Sequence, residues 1–308
     1  MSTHTVPNSP TLRAIRERGK LVAGVSTGIR GLSWTDDEGV RRGLDVDTAR
    51  AVAAAVLGDA DAVEYVELAP QQRMDALAEG RIDFLSCNTT WTLSRECDGG
   101  AVFLPTTCYD GGAFMVRRSS GITRAEDLAG RKVAVLAGTS SAASLDAWYA
   151  PKGLSVEAIG YPTPAEALQA YADGTVDGYV CDAIVLFGER TRFDDPAEHV
   201  VLPELISNEP MGPAVRDDDP VWLRATRWIL FALIAAEADG HEGLIAAQER
   251  LAATAGLPAT WISDALGQVG DYGAIYDRSL GESSGLAIPR GRNDLWTRGG
   301  LMYAPPLA

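Results

Sequence analysis

Apolar positions along this chain change period repeatedly. Leu21–Val25 is a short apolar run that closes on Ser-Thr-Gly. Val46–Leu57 carries its apolar residues on a helical period and stops at Gly58, a residue suited to a helix C-terminus. Ala62–Leu68 alternates as a strand does. Pro70–Ala78 predicts a helix closed by Gly80, and Ile82–Cys87 a buried strand running into Asn-Thr-Thr. Strand, helix and strand in succession imply a parallel sheet covered by helices on both faces. A helical pattern starts at Thr11, and residues 1–10 ahead of it predict no order. The last third is mainly helical: Pro220–Ala238 sets Trp222, Trp228, Phe231 and Leu233 among small residues, and the tail W-T-R-G-G-L-M-Y-A-P-P is irregular.

The pattern then echoes itself with a period of roughly 100 residues, too long for a solenoid. Leu12–Val25 (L-R-A-I-R-E-R-G-K-L-V-A-G-V) precedes S-T-G, and Glu126–Leu136 (E-D-L-A-G-R-K-V-A-V-L) precedes A-G-T. Each is a helix end, a glycine, a lysine, a strand and a Gly/Thr turn. A second echo sets M-D-A-L-A-E-G-R-I-D-F at 74–84 beside L-Q-A-Y-A-D-G-T-V-D-G at 168–178. Two similar α/β lobes would produce this, and so would common strand–helix grammar. The runs Tyr109–Met115 and Asn208–Val215 read as connections, with Gly111, Gly112, Gly212 and Pro213 at unusual backbone positions.

The 308 residues suffice for two domains. The 42 Asp and Glu against 27 Lys and Arg give a net charge of -15, which argues against nucleic-acid partners and anionic membrane surfaces. The longest apolar stretch, Trp228–Ala236, is too short to cross a bilayer, so no membrane insertion is expected. The N-terminus has no basic start and no apolar h-region. The expected location is therefore cytoplasmic, or periplasmic or cell-surface if the true N-terminus lies upstream. Cys87, Cys97, Cys108 and Cys181 include no C-x-x-C pair and stand far in sequence from His4, His199 and His241, so no metal site and no cofactor are expected.

Three strand ends carry the candidate chemistry, since open α/β sheets collect ligands at the carboxyl ends of their strands. The first is Cys87-Asn88-Thr89-Thr90-Trp91-Thr92-Leu93-Ser94-Arg95, dense in hydroxyls and closed by an arginine whose planar fork fits a carboxylate. A helix cap at Thr92 or Ser94 is the plainer reading. The second is Val133–Ala137 followed by Gly138-Thr139-Ser140-Ser141 and a helix through Tyr149, where free N–H groups and hydroxyls form an anion site or merely a cap. The third is Tyr179-Val180-Cys181-Asp182. Its carboxylate can hold an ammonium group or cap the Ala183–Glu189 helix. One anion clamp and one cation acceptor together suit a zwitterion.

On G-L-D-V-D at 43–47, N-T-T-W-T-x-S-R at 88–95, Y-D-G at 109–111, E-P-M-G-P-A-V-R at 209–216, G-D-Y-G at 270–273 and L-W-T-R-G-G-L-M-Y-A-P-P at the end, the chain resembles the type II periplasmic solute-binding proteins of polar amino-acid ABC transporters. It is most similar to their general L-amino-acid-binding branch. The resemblance implies a bilobal clamshell of two doubly wound α/β lobes joined by two crossovers, with a helical C-terminal extension. Lobe 1 is then 11–112 plus 213–308, and lobe 2 is 113–212. It also implies that Arg95 takes a ligand α-carboxylate together with Ser140 and nearby N–H groups. Thr90 and the backbone at Asn88 then share the amino group with Asp182, while Trp34 and Trp91 wall the side-chain pocket or simply pack.

The implied function is binding of a small L-α-amino acid for an ABC permease, or as a sensor derived from such a protein. The alternative is a cytosolic, cofactor-free lyase or dehydratase on the same fold, with Asp182, Cys108 and Cys181 as candidate catalytic groups. Cys87 and Cys181 each precede a proposed ligand residue, where a buried thiol serves either as a small hydrophobe or as reactive chemistry.

Overall fold

A computed structural model describes residues 8–137 and 140–307. It divides into two compact units. One ends at Tyr109 and resumes at Pro210, and the other is Asp110–Glu209.

The larger unit opens with the helix Pro10–Arg18. Ser9 caps it, its Oγ accepting the Leu12 N–H at 3.0 Å, and Gly19 closes it in the left-handed conformation. Its sheet runs in the order Val63–Glu67, Leu21–Val25, Phe84–Leu85, Ala214–Arg216, Ala101–Phe103. The first three strands are parallel, and Ala214–Arg216 is antiparallel to both of its neighbours. The strand expected over Ile82–Cys87 pairs formally only at Phe84–Leu85. Its ladder is extended by the Asp83 N–H on the Val22 carbonyl at 2.9 Å and the Ser86 N–H on the Gly24 carbonyl at 2.8 Å. Beyond Ser86 the chain turns, with the Thr89 N–H returning to the Cys87 carbonyl at 2.6 Å. The helix expected over Pro70–Ala78 starts as a 3-10 turn, Pro70–Gln72, and becomes α-helical at Arg73–Ala78.

Leu44–Leu57 is buried on nearly every side, which its many alanines permit. The helix Trp261–Val269 packs along it. Gln268 ties its C-terminal end, accepting the Ala60 N–H at 2.8 Å and donating to the Gly58 carbonyl at 3.0 Å. At its start Gly43 has φ 123°, and a Cβ there would collide with the Leu32 carbonyl. Only glycine satisfies both demands, which explains the G-L-D-V-D opening. The C-terminal tail stays irregular, with 3-10 turns at Gly291–Asn293 and Trp296–Arg298. Its Asn293 side chain grips the backbone of Tyr109 twice, accepting its N–H at 2.6 Å and donating to its carbonyl at 2.9 Å.

The smaller unit repeats the sheet plan. Its order is Glu157–Tyr161, Lys132–Leu136, Gly178–Asp182, Gly112–Arg117, His199–Val201. Again the first three are parallel, and Gly112–Arg117 is antiparallel to both neighbours. One core of this unit gathers Phe114, Val116, Leu128, Val133, Leu145 and Tyr149, and another gathers Met115, Ala134, Tyr171 and Tyr179. Successive residues of Gly112–Arg117 point into different cores, as the two-residue period of a strand requires.

Candidate functional site

The first strand end lies wholly in the larger unit. Thr92 caps the helix Leu93–Asp98, its side chain accepting the Arg95 N–H at 3.3 Å, so the capping role is real. The preceding loop is fixed from two sides. On one, the Trp91 N–H donates to the Pro210 carbonyl at 2.8 Å and the Gly212 N–H to the Thr89 carbonyl at 3.2 Å. On the other, Arg73 enters from its helix, nearly buried at 6% exposure. Its Nη1 donates to the Asn88 carbonyl at 3.0 Å and the Thr89 Oγ1 at 3.2 Å, and its Nη2 donates to the Asn88 Oδ1 at 2.9 Å. Asn88 is therefore a bracket between Arg73 and the loop. Arg95 is exposed, with its Nη1 donating to the Thr90 carbonyl at 2.6 Å.

Near Arg73, Asp45 is 4% exposed, and burial raises its carboxyl to about 8 against the opposing pull of the Arg73 charge. Neither Arg73 nor Asp45 follows from the motif. The signal for Arg73 is its phase: with Ala76 and Leu77 it occupies the buried face of its helix, where an arginine must find polar partners.

Trp91 is 40% exposed and stacks on Phe103 with centroids 5.8 Å apart, while its Nε1 donates to Glu96 at 2.7 Å. It lines a cavity of about 450 Å³ with Phe103, Tyr109, Phe231 and Tyr303. Trp34 is not part of that lining. It stands in the hairpin Trp34–Thr35 and Arg41–Arg42, with the Arg30 guanidinium 5.2 Å from its ring. The structure thus sets Asn88, Thr90 and Trp91 on one loop, Arg95 in the first turn of the helix that follows it, and Trp34 on a separate element.

At the second strand end, Lys132–Leu136 leads into Ala137. Gly138 and Thr139 lie outside the described residues, as does the side chain of Ser140, the first residue of the helix Ser140–Tyr149.

The third strand end corrects one expectation. Asp182 immediately precedes the helix Ala183–Arg190, yet its side chain makes no capping bond. Asp110 supplies the cap instead: its Oδ2 accepts the Ile184 N–H at 3.2 Å, and the Gly111 carbonyl accepts the Ala183 N–H at 2.9 Å. Asp110 is 3% exposed, and its carboxyl is pushed up to about 7, first by burial and then by the charge of Asp182, with Glu209 adding to it. Glu209 accepts from the Ser207 Oγ at 3.0 Å, and that Oγ takes the Gly112 N–H at 2.9 Å. Carboxylates that repel one another at a strand end are relieved by a cation. The Y-D-G motif held Asp110 in plain view, but its role depends on a helix that starts 73 positions later (183 against 110).

Cys87 and Cys181 are held protonated. Burial raises Cys87 to about 12, and its Sγ faces the Gly24 carbonyl at 3.5 Å. Burial, with the nearby Asp182 charge, raises Cys181 to about 12 as well. Cys108 is 1% exposed. A thiol held protonated far above neutrality is neither a ready nucleophile nor an effective acid. Among the described residues no group of three or more His, Cys, Asp or Glu side chains could hold a metal ion, and no helix is long and apolar enough to cross a membrane.

Known proteins are similar to this chain. The general L-amino acid-binding periplasmic protein AapJ of Rhizobium johnstonii is 36% identical, over 97% of this chain and 93% of its own. The glutamate/glutamine/aspartate/asparagine-binding protein BztA of Rhodobacter capsulatus is 35% identical, over 97% of this chain and 94% of its own. Among solved structures, an ABC transporter periplasmic binding protein from Brucella ovis with glutathione bound is similar at 34% identity and a TM-score of 0.89, covering 98% of this chain and all of that one (100%). The model of one family matches residues 21–240. On that match and these relatives, the chain belongs to the bacterial extracellular solute-binding proteins, family 3.

Proposed function

We propose that this protein reversibly binds the α-amino-acid group of a small ligand and presents it to an ABC permease, working outside the cytoplasmic membrane as its family does. One observation carries the reading. Corresponding strands of two like sheets end in opposite charge: the loop after Phe84–Leu85 leads into the short helix that carries Arg95, and Gly178–Asp182 ends on Asp182 beside Asp110. A guanidinium fork takes the carboxylate and the acidic end takes the ammonium. Thr90 and the Asn88 backbone share the amino group with Asp182, and Ser140 joins Arg95 at the carboxylate.

The relatives' names support this class, and glutathione sharpens it. The γ-glutamyl end of glutathione is itself a free α-amino acid, so a protein that reads only the zwitterion accepts both a free amino acid and that tripeptide. Calorimetric titration with the common L-amino acids and with glutathione tests the proposal. Saturable one-to-one binding of at least one of them is expected, with the ligand recovered chemically intact by mass spectrometry. Failure of all of them to bind overturns the reading. A ligand that loses water or ammonia on the protein replaces it with a lyase.

A further inference from the structure

Away from both strand ends, the larger unit contains a hollow of about 440 Å³ lined by Arg41, Arg42, Arg50 and Arg278 together with Asp47, Asp61, Tyr65 and Ser279. The lining holds four guanidiniums and two carboxylates, and Glu67 and Asp36 pair with Arg41 and Arg42 from outside it. The ion pairs around the hollow use particular atoms. Arg50 commits its Nε and Nη2 to Asp61 at 3.2 and 2.8 Å, and its Nη1 to Asp47 at 3.2 Å. Asp47 is filled on both oxygens, because the Arg278 Nε takes its Oδ2 at 2.6 Å. Arg41 is held by Glu67 and by the Ser33 Oγ. Arg42 and Arg278, by contrast, each engage a carboxylate through Nε alone, Asp36 for the first and Asp47 for the second. Among the described residues, their Nη groups have no protein acceptor.

The Ser279 side chain adds an independent sign. It is 5% exposed, lines the hollow, and its Oγ finds no hydrogen-bond partner. A buried hydroxyl without a partner is costly unless something that enters the hollow completes it.

We infer that this hollow binds a small multivalent oxyanion, a polycarboxylate or a phosphorylated compound. The Nη groups of Arg42 and Arg278 serve as the forks, and the Ser279 hydroxyl as a further donor. Arg50 and Arg278 together balance the charges of Asp47 and Asp61, which weakens the repulsion of an anionic ligand by the two carboxylates in the lining. The volume exceeds the need of a single inorganic phosphate and falls in the range of ordinary ligand sites.

Calorimetry and thermal shift with citrate, pyrophosphate and inorganic phosphate test this, at ionic strength matched with sodium chloride. Citrate or pyrophosphate should bind one-to-one with Kd below about 1 mM and raise the melting temperature. The preference between them separates the polycarboxylate from the phosphorylated source. The pair Arg42→Gln and Arg278→Gln should weaken binding at least tenfold, and Ser279→Ala should weaken it several-fold. Should loss of Arg278 unsettle Asp47, Arg42→Gln alone suffices, since that side chain is 53% exposed and its removal spares the core. A response no larger than that of chloride overturns the inference, as does unchanged affinity in the arginine variants. Amino-acid binding is measured on the same samples and should be the same in Arg42→Gln as in the unaltered protein, so this site and the strand-end site succeed or fail separately.

Discussion

In the larger unit Asp83 opens the third parallel strand, and its carboxylate takes the Val22 N–H of the neighbouring strand at 2.9 Å. In the smaller unit Asp177 stands just before the third parallel strand and takes the Lys132 N–H at 3.1 Å. Behind each lies a left-handed glycine closing a short helix, Gly80 at φ 71° and Gly174 at φ 79°. The echo heard in the sequence is therefore one strand-entry device used twice. The two copies part company at the far ends of those strands. Where Phe84–Leu85 ends, the chain continues into a seven-residue loop (86–92) braced by Arg73, and Arg95 in the helix that follows donates back to it. Where Gly178–Asp182 ends, the helix Ala183–Arg190 follows at once and Asp110 fills its cap. The entries are conserved in design because they hold the sheet, whereas the exits have diverged in charge. On the proposed function, the exits are what read the ligand.

The largest effect should come from breaking the cationic exit. Arg95 is exposed and caps nothing with its side chain, so Arg95→Ala should leave the melting temperature nearly unchanged. It should cost about 2–5 kcal/mol in amino-acid affinity, the range for removing one partner of a charge-assisted pair. Titration of the ligand identified for the unaltered protein measures it. Retained affinity would remove Arg95 from the site.

Next comes the acidic exit. Asp182→Asn keeps the shape and removes the charge, and should weaken binding by about 1.5–3 kcal/mol, the worth of a hydrogen bond to a charged group. The informative control is a ligand analogue lacking the amino group. The variant and the unaltered protein should bind that analogue equally. A variant that discriminates against it as strongly as the unaltered protein does would separate Asp182 from the ammonium.

The entries give a smaller, purely structural contrast. Asp83 is 9% exposed, pairs with Arg18, and has its carboxyl raised by burial. Asp177 has a side chain 38% exposed. Asp83→Ala leaves the Val22 N–H without an acceptor in a place water scarcely reaches, at about 1–3 kcal/mol. Asp177→Ala lets water replace the lost oxygen and should cost under about 1 kcal/mol. Thermal or urea unfolding compares them, and equal losses would mean that the two copies are equally buried in practice.

The sheet plan was readable because its signals are local. Glycine ends, apolar runs and an aspartate at each strand entry need only a few neighbouring residues to be recognised. The Thr92 cap was equally plain. Arg73, Asp45 and Asp110 were not, because each acts on a distant segment: Arg73 on Asn88, Asp110 on the helix after Asp182. In sequence Asp182 is the obvious cap for that helix, being its neighbour. Tertiary structure gives the work to Asp110 and thereby leaves the Asp182 carboxylate to other partners. Trp34 and Trp91, two tryptophans of like character, stand on different elements. What sequence grammar conveys is the scaffold. Which polar group serves which element is decided by packing.

The last contrast is one of slope. Asp110 carries a carboxyl raised from its ordinary 3.8 to about 7 by burial and by Asp182. A group raised in the folded state keeps its proton there while the unfolded chain has already released it. Between about pH 4 and pH 7 the folded form thus binds more protons, and stability must fall as pH rises, levelling off above that window. Asp110→Asn cannot ionise, so its melting temperature should decline less steeply across the same range. The full effect is about 4 kcal/mol, so the difference should be on the order of 10 °C, taking about 2–4 °C per kcal/mol for a chain of this order of size. Asp45, raised to about 8 in the larger unit, adds a similar decline, but it is present in both proteins and cancels from the comparison. Asp182→Asn should flatten the profile partway, because it removes one of the charges that raise Asp110 while leaving its burial intact. Parallel melting profiles for the unaltered protein and Asp110→Asn from pH 4 to pH 8, without ligand, would show that Asp110 is already ionised at its cap. The acidic exit would then be carrying its full negative charge in the empty protein, and its preference for a cation would need no proton to leave first.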